Sequence, residues 1–163
     1  MNLVYSDQQI TALHLITPSV FLAGPTPRDA ETKSWRPKAL QLFSNHPISK
    51  DISLFVPERS SREYKNNYYD QVEWEKRGLK YASVIMFWVP RKLDTMPAFT
   101  TNVEFGFYLA SRPDEVLYGR PDDSEKNKYL DWLYTDTTKR NPINSLETLV
   151  SEVINELIRK YKK

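Results

Sequence analysis

Short apolar runs alternate along this chain with longer stretches whose apolar positions recur every three or four residues. "SVFLAG" (19–24) is a continuous apolar run closed by the turn-forming "GPTPRD", and it reads as a buried strand. "SWRPKALQLF" (34–43) reads as a helix, with Pro37 tolerable only in its first turn. "ISLFVPE" (52–58) is a second strand, followed by the polar, tyrosine-rich "RSSREYKNNYYD". "QVEWEKRGLKYA" (71–82) has helical spacing, with Val72, Leu79 and Ala82 available for one buried side. "SVIMFWVP" (83–90) is the clearest strand, and its unbroken apolar run predicts burial on both faces. The loop "RKLDTMPAFT" leads into a helix that opens at Thr101, and "EVLYGRP" (115–121) predicts a fourth strand. "NKYLDWLY" (127–134) and "SLETLVSEVINELIRKY" (145–161) predict helices, the second with an apolar stripe of Leu146, Leu149, Val150, Val153, Ile154 and Leu157. A fifth strand is poorly marked and is placed around "RNPIN".

Strand–helix alternation of this kind predicts an α/β fold: one doubly wound, mostly parallel sheet of about five strands with helices on both faces. No internal repeat or interdomain linker interrupts it, so residues 1–163 are expected to form a single domain. Ligands in such sheets bind outside the carboxyl ends of the strands, where strand order reverses. With a flavodoxin-like order, 2-1-3-4-5, the crevice lies between the first and third predicted strands. The loops bordering it are "GPTPRD" and "VPRKLDTMPAFTT", and Glu104 stands just beyond the second.

Composition narrows the chemistry. Lys plus Arg is 23 and Asp plus Glu is 21, a formal net charge of +2, which offers no electrostatic footprint for nucleic acid or an anionic membrane. The basic "IRKYKK" at the end reads as a solvated tip. The absence of cysteine excludes disulfides, thiolate metal sites and cysteine nucleophiles. His14 and His46 are too few for a multi-histidine metal site and lack a metal-motif spacing. No apolar run is long enough for a membrane span and the N-terminus has no signal-peptide pattern, so a soluble cytoplasmic protein is the default expectation. Neither GxGxxG nor GxxxxGK[ST] occurs, and there is no GxSxG elbow.

What remains is carboxylates among aromatics: Asp70, Glu73 and Glu75 before the third strand, Asp94 in the loop after it, and Glu104 beyond. Thr101-Asn102-Val103-Glu104 matches the capping box, in which the glutamate serves only the helix start. The alternative reading of the same position is chemical. A first-turn carboxylate feels the positive end of the helix dipole, which favours its ionised form, and an ionised carboxylate at a crevice is what a nucleophile toward a sugar anomeric carbon requires. Gly106 would admit a close approach of backbone or ligand. Glu73 and Glu75 flank Trp74 and must point in different directions on a helix, one toward the crevice or both toward solvent. Asp70 reads as a cap of that helix. Tyr64, Tyr68 and Tyr69 read either as loop packing or as a wall on which a base stacks. Trp88 is core or crevice wall. Arg28 and Arg91 lie in the two crevice loops, either solvated or available to a phosphate.

"FLAGPTPR" on the first strand, "QVEWE…LKYASVIMFWVPR" through the third, and "TNVEFGFYLA" opening the next helix together resemble the nucleoside 2-deoxyribosyltransferase family, in its deoxyribosyltransferase-like branch, over residues 19–121. The resemblance implies a flavodoxin-like sheet and an enzyme that cleaves the N-glycosidic bond of a 2′-deoxynucleoside. The deoxyribosyl group passes to another base without cofactor or metal, in nucleotide salvage. It implies Glu104 as the nucleophile that forms a glycosyl-enzyme intermediate. An acidic residue about eight positions before the third strand binds or protonates the base in that family; this is Glu75, with Glu73 in reserve. The turn residues Ala23, Gly24, Pro25 and Thr26 line the deoxyribose and base pocket. The implied partners are a small-molecule nucleoside or nucleotide and a nucleobase, with no nucleic acid and no membrane, and a homo-oligomer.

This chain departs from the family pattern in places. An aspartate often found shortly before the nucleophile is missing from "PAFTTN", where Asn102 is the candidate to hold the sugar hydroxyls. Phe21 lacks the hydroxyl of a first-strand tyrosine. A neighbouring subunit's C-terminus completes the pocket in several members, whereas this chain ends in a long amphipathic helix. Two alternatives therefore stand beside the transferase: a hydrolase of a nucleoside or nucleoside 5′-monophosphate with the same fold, and a non-catalytic nucleotide-binding module.

Overall fold

The alternation of side chains along each strand decides the layering. In the computed structural model, which describes residues 1–60 and 67–161, Val20 and Leu22 point to one face of the sheet and Phe21 and Ala23 to the other. All four are buried, the pattern of a central parallel strand. The strands are β1 (Asn2–Tyr5), β2 (Ser19–Ala23), β3 (Ser53–Val56), β4 (Val84–Trp88) and β5 (Val116–Gly119). They pair in the order β1-β3-β2-β4-β5, every pair parallel. The helices are α1 (Ala12–Ile16), α2 (Arg36–Ser44), α3 (Tyr68–Tyr81), α4 (Phe99–Ser111), α5 (Lys128–Thr138) and α6 (Leu146–Tyr161), with a 3-10 turn at Pro47–Asp51.

Each face of the sheet carries its own core. On one side Phe21, Phe55, Phe87 and Tyr118 meet Trp74 and Leu79 of α3, Phe105 and Leu109 of α4 and Tyr134 of α5. On the other, Val20, Leu22, Leu54, Met86 and Leu117 meet Ala39 and Phe43 of α2 and the predicted stripe of α6, all six residues of which are buried. The doubly wound five-stranded sheet is as the pattern predicts, and the four strands read from the sequence stand in the predicted 2-1-3-4 order. The fifth is β1, which joins beyond β3 rather than beyond the fourth predicted strand. At "RNPIN" a single parallel bridge, Gly119 to Ile143, replaces the expected strand.

The chain crosses from one face to the other between β2 and β4. The segment after β2 leads to α2 on one side; the segment after β4 leads to α4 on the opposite side. The carboxyl ends of β2 and β4 thus splay their loops apart over a crevice, at the position expected from the strand order. The two strand ends come very close there. Gly24 sits at φ +144°, and a Cβ built on it would lie 2.1 Å from the Trp88 carbonyl oxygen. Only glycine fits both the dihedral and the gap. Helix α6 ends at the amino ends of the strands, opposite the crevice, where Tyr161 Oη is 2.8 Å from Ser83 Oγ. Among the described residues no helix is long and apolar enough to cross a membrane.

Candidate active site

A large open cavity of about 1010 Å³ lies at this crevice, with α3 and α4 as its banks. Its floor is Phe21 and Ala23 of β2, and the Gly24-Pro25-Thr26 loop closes one end. Helical spacing turns Gln71, Glu75 and Leu79 of α3 inward together, and Thr100, Glu104 and Tyr108 of α4 opposite them. Two glutamates from neighbouring helices therefore share one cavity, each only partly exposed. Gly78 lets α3 lie close against this floor, since a Cβ there would be 2.7 Å from the Phe21 ring.

The two carboxyl groups have unequal surroundings. Glu75 Oε1 accepts a hydrogen bond from Gln71 Nε2 at 3.0 Å. Burial pushes Glu75 above the ordinary glutamate range, while the Gln71 bond and the Arg36 charge oppose the rise. Glu104 is pushed up to about 7, by burial first and then by the charge of Glu75, with Arg36 pulling it back. The capping-box reading of Glu104 does not hold. Helix α4 begins at Phe99 after Ala98, whose left-handed backbone at φ 60° starts the helix without a side-chain cap. Thr101 is a buried residue inside the first turn and Glu104 falls in the second. The helix dipole, which fades within the first turn, is thus outweighed by desolvation, and Glu104 is a weaker acid than its sequence position predicts.

The structure brings together Glu104, Glu75, Ala23, Gly24, Pro25 and Thr26 around the cavity, with Arg28, Tyr68 and Val72 also on its lining. It leaves others outside. Glu73 is solvent-exposed and 3.7 Å from Lys76 Nζ, because Trp74 takes the inward position between the two glutamates. Trp74 packs on Phe21 and Phe55 and donates from Nε1 to the Gln8 carbonyl at 2.8 Å. Trp88 belongs to the core on the opposite face of the sheet, beside Trp35 and Leu146. Asn102 does not line the cavity; its Oδ1 accepts from the guanidinium of Arg91. Arg91 is itself buried and also bonds the Lys126 carbonyl at 2.9 Å, so it anchors α4 rather than facing the crevice. Asp94 is exposed on the loop. Asp70 is in the first turn of α3, whose cap is Asn67, accepting from Tyr69 N–H at 3.2 Å. Tyr69 stays exposed, and Tyr64 lies outside the described residues. Among the described residues a Cβ on Gly106 would meet nothing within 4 Å, so no close approach there requires it.

Arg36 and Glu58 are the residues that the sequence pattern missed. Arg36 reads as an ordinary helix-surface charge, yet it is 1% exposed, and its guanidinium lies behind the Gly24–Thr26 loop, paired with Glu58 Oε1 at 2.7 Å. The adjoining Pro37 and Trp35 were the available signal: Pro37 sets the helix start, and Trp35 Nε1 bonds the Pro25 carbonyl at 3.1 Å. Among the described residues no group of three or more His, Asp or Glu side chains is placed to hold a metal ion.

Comparison with known proteins bears on this site. The family model described as "Nucleoside 2-deoxyribosyltransferase like" matches residues 17–122, a span that contains β2 through β5 and every cavity-lining residue named above. No curated protein matches the sequence. Among solved structures, the crystal structure of a conserved protein from Enterococcus faecalis V583 has a similar fold, with a TM-score of 0.56 and 11% identity over 85% of this chain and 98% of that one.

Proposed function

This chain belongs to the nucleoside 2-deoxyribosyltransferase-like family, and on that premise we propose that it cleaves the N-glycosidic bond of a 2′-deoxynucleoside and transfers the deoxyribosyl group to another base. The observation that carries the reading is the meeting of Glu104 and Glu75 in one cavity beneath the Gly24–Thr26 loop. Retaining glycosyl transfer needs two carboxyl groups, one ionised to attack and one protonated to help the leaving group depart. A pair that keeps one proton between them near neutrality has that composition.

In the first step a Glu104 oxygen attacks C1′. The C1′–N bond breaks, and the base leaves with the proton of Glu75, giving a deoxyribosyl ester on Glu104. In the second step a ring nitrogen of the incoming base attacks C1′ and returns its proton to Glu75, and Glu104 departs as carboxylate. Burial raises both carboxyl groups above the ordinary glutamate range, and the reaction places their shared proton on Glu75, where the bound base hydrogen-bonds. Phe21 and Leu79 keep that part of the cavity apolar, where a carboxylate strongly stabilises positive charge on the sugar. Ala23 to Thr26 would border the sugar and base. The reaction draws on no cofactor, and the proposed setting is nucleotide salvage in the cytoplasm by a homo-oligomer.

The test is product analysis. The protein is incubated with thymidine, deoxycytidine or deoxyadenosine, with and without a free acceptor base, and the products are separated by chromatography. New nucleoside formed only with acceptor supports transfer. Free base released without acceptor makes the protein a hydrolase of the same site. Unchanged donors throughout would leave a nucleotide-binding module and sink the enzymatic reading for these substrates.

A further inference from the structure

We propose that Arg36 is the positioning residue of this site: one buried guanidinium that fixes the crevice loop from behind and holds a positive charge near both carboxylates. The inference rests on the reading of Glu75 and Glu104 as the reacting pair, and goes beyond it to a residue outside their two helices.

The geometry is that of a fork whose three nitrogens all donate. Arg36 Nε donates to the Leu22 carbonyl at 3.1 Å, and one terminal nitrogen donates to the Gly24 carbonyl at 2.7 Å. The other reaches Thr26 Oγ1 at 3.1 Å, the Pro25 carbonyl at 3.5 Å and Glu58 Oε1 at 2.7 Å. Residues 22, 24, 25 and 26 are thereby tied to the start of α2 and, through Glu58, to the end of β3. Ser34 Oγ donates to the same Glu58 oxygen at 2.6 Å, which fixes the acid in turn. The loop so held borders the cavity, and the carbonyl oxygens of Gly24 and Pro25, with that of Leu22 in β2, are turned to the guanidinium. A lysine ammonium could not satisfy that set, since it has three donors and no planar fork.

The same charge acts on the carboxylates. Arg36 lowers the proton affinity of both Glu75 and Glu104, and Glu58, Glu75 and Glu104 in turn favour its own charged form against burial. The other ionisable groups around Glu104 are Glu75 on α3, Tyr108 on its own helix, and Arg28, Lys76, Lys80 and Arg112 along the cavity. Arg36 is the cation that lowers the proton affinity of Glu104. Loop geometry and carboxylate charge therefore depend on one side chain.

The experiment compares Glu58→Gln with the double variant Arg36→Gln/Glu58→Gln, which differ in the Arg36 guanidinium, charge and fork together; the double variant leaves neither partner of the buried pair charged and alone, and Arg36→Lys separates the charge from the fork. The titration midpoint of Glu104 is followed by carbon NMR of its side-chain carboxyl, with thermal unfolding as the check on folding. The midpoint is expected to lie about one unit higher in the double variant. Arg36→Lys, which keeps the charge but not the fork, should keep the midpoint near that of the native protein while kcat/KM falls by roughly tenfold to a hundredfold. Equal midpoints in the two glutamine variants, or full activity in Arg36→Lys, would overturn the proposal. The NMR readout needs no turnover, so absent glycosyl transfer would remove the functional reading without masking the result for Arg36.

Discussion

Glu75 and Glu104 turn into one cavity from neighbouring helices, and the charge on Glu75 makes Glu104 hold its proton more tightly. Two interacting carboxyl groups titrate as a pair, and the step at about 7 removes the last proton from this one. Transfer needs that proton for the leaving base. The kcat/KM profile is therefore expected to be bell-shaped, with its alkaline limb near pH 7. A profile that climbs steadily from pH 6 to 9 would contradict proton sharing by this pair.

Stability should show the same group from the other side. The folded-state pKa of Glu104 is raised from 4.5 to about 7. Below the ordinary range both folded and unfolded chains hold the proton, and the residue is neutral to stability. Between the two values the unfolded chain has ionised and the folded one has not, so stability falls as pH rises, and the full loss is present above about 7. Glu104→Gln should thus unfold at a higher temperature than the native protein at pH 8, by up to about 3 kcal/mol, and match it near pH 4. Its turnover should drop by at least about a thousandfold. Chemical denaturation at the two pH values checks the first claim and single-turnover kinetics the second.

The central strands were legible because burial on both faces leaves an unbroken apolar run, as in Val84–Trp88. Strand β1 was not, since Val4 alone of its four residues is buried at this sheet edge. The start of α4 was misread because a local capping pattern carries no knowledge of Ala98, whose left-handed backbone opens the helix two residues earlier. Glu104 was placed at the crevice by its position after the third strand and Glu75 was named through the family resemblance; both line one cavity. Arg36 was hidden, because its acceptors come from the end of one strand, the loop after it and Glu58, and no periodicity marks carbonyl oxygens that converge from separate segments.

Gly24→Ala tests the tight crossing beneath the site. The added methyl would enter the 2.1 Å space before the Trp88 carbonyl at a dihedral that side chains rarely adopt. Neither strand end can yield without loosening the β2–β4 pairing. Destabilisation of about 2 kcal/mol or more is expected, and the folded fraction should lose activity as the loop shifts. A variant as stable as the native protein would mean that the strand ends relax freely.

Asn102→Ala separates anchoring from sugar binding. Among the described residues Arg91 Nε is buried without a hydrogen-bond partner, so its terminal contacts to Asn102 and Lys126 carry the burden of solvating the guanidinium. Removing the Asn102 oxygen should cost about 1–3 kcal/mol. If Asn102 serves only α4, the KM for nucleoside changes little once folding is accounted for. A large rise in KM with unchanged stability would instead return Asn102 to the sugar hydroxyls.

Glu73 and Glu75 offer the sharpest contrast, because they are two residues apart on one helix and differ mainly in where Trp74 forces them to point. Glu73 faces water beside Lys76, an exposed pair whose loss is expected to change stability by well under about 1 kcal/mol. Glu73→Gln should therefore leave turnover close to native. Glu75→Gln removes the acid that protonates the leaving base, and kcat should fall by roughly a hundredfold or more. It also removes the like charge opposite Glu104, so the Glu104 midpoint should move down toward the ordinary range. Donors whose bases leave readily without a proton should lose less than poor ones. Equal losses in both glutamine variants would show that the helix carries no oriented acid.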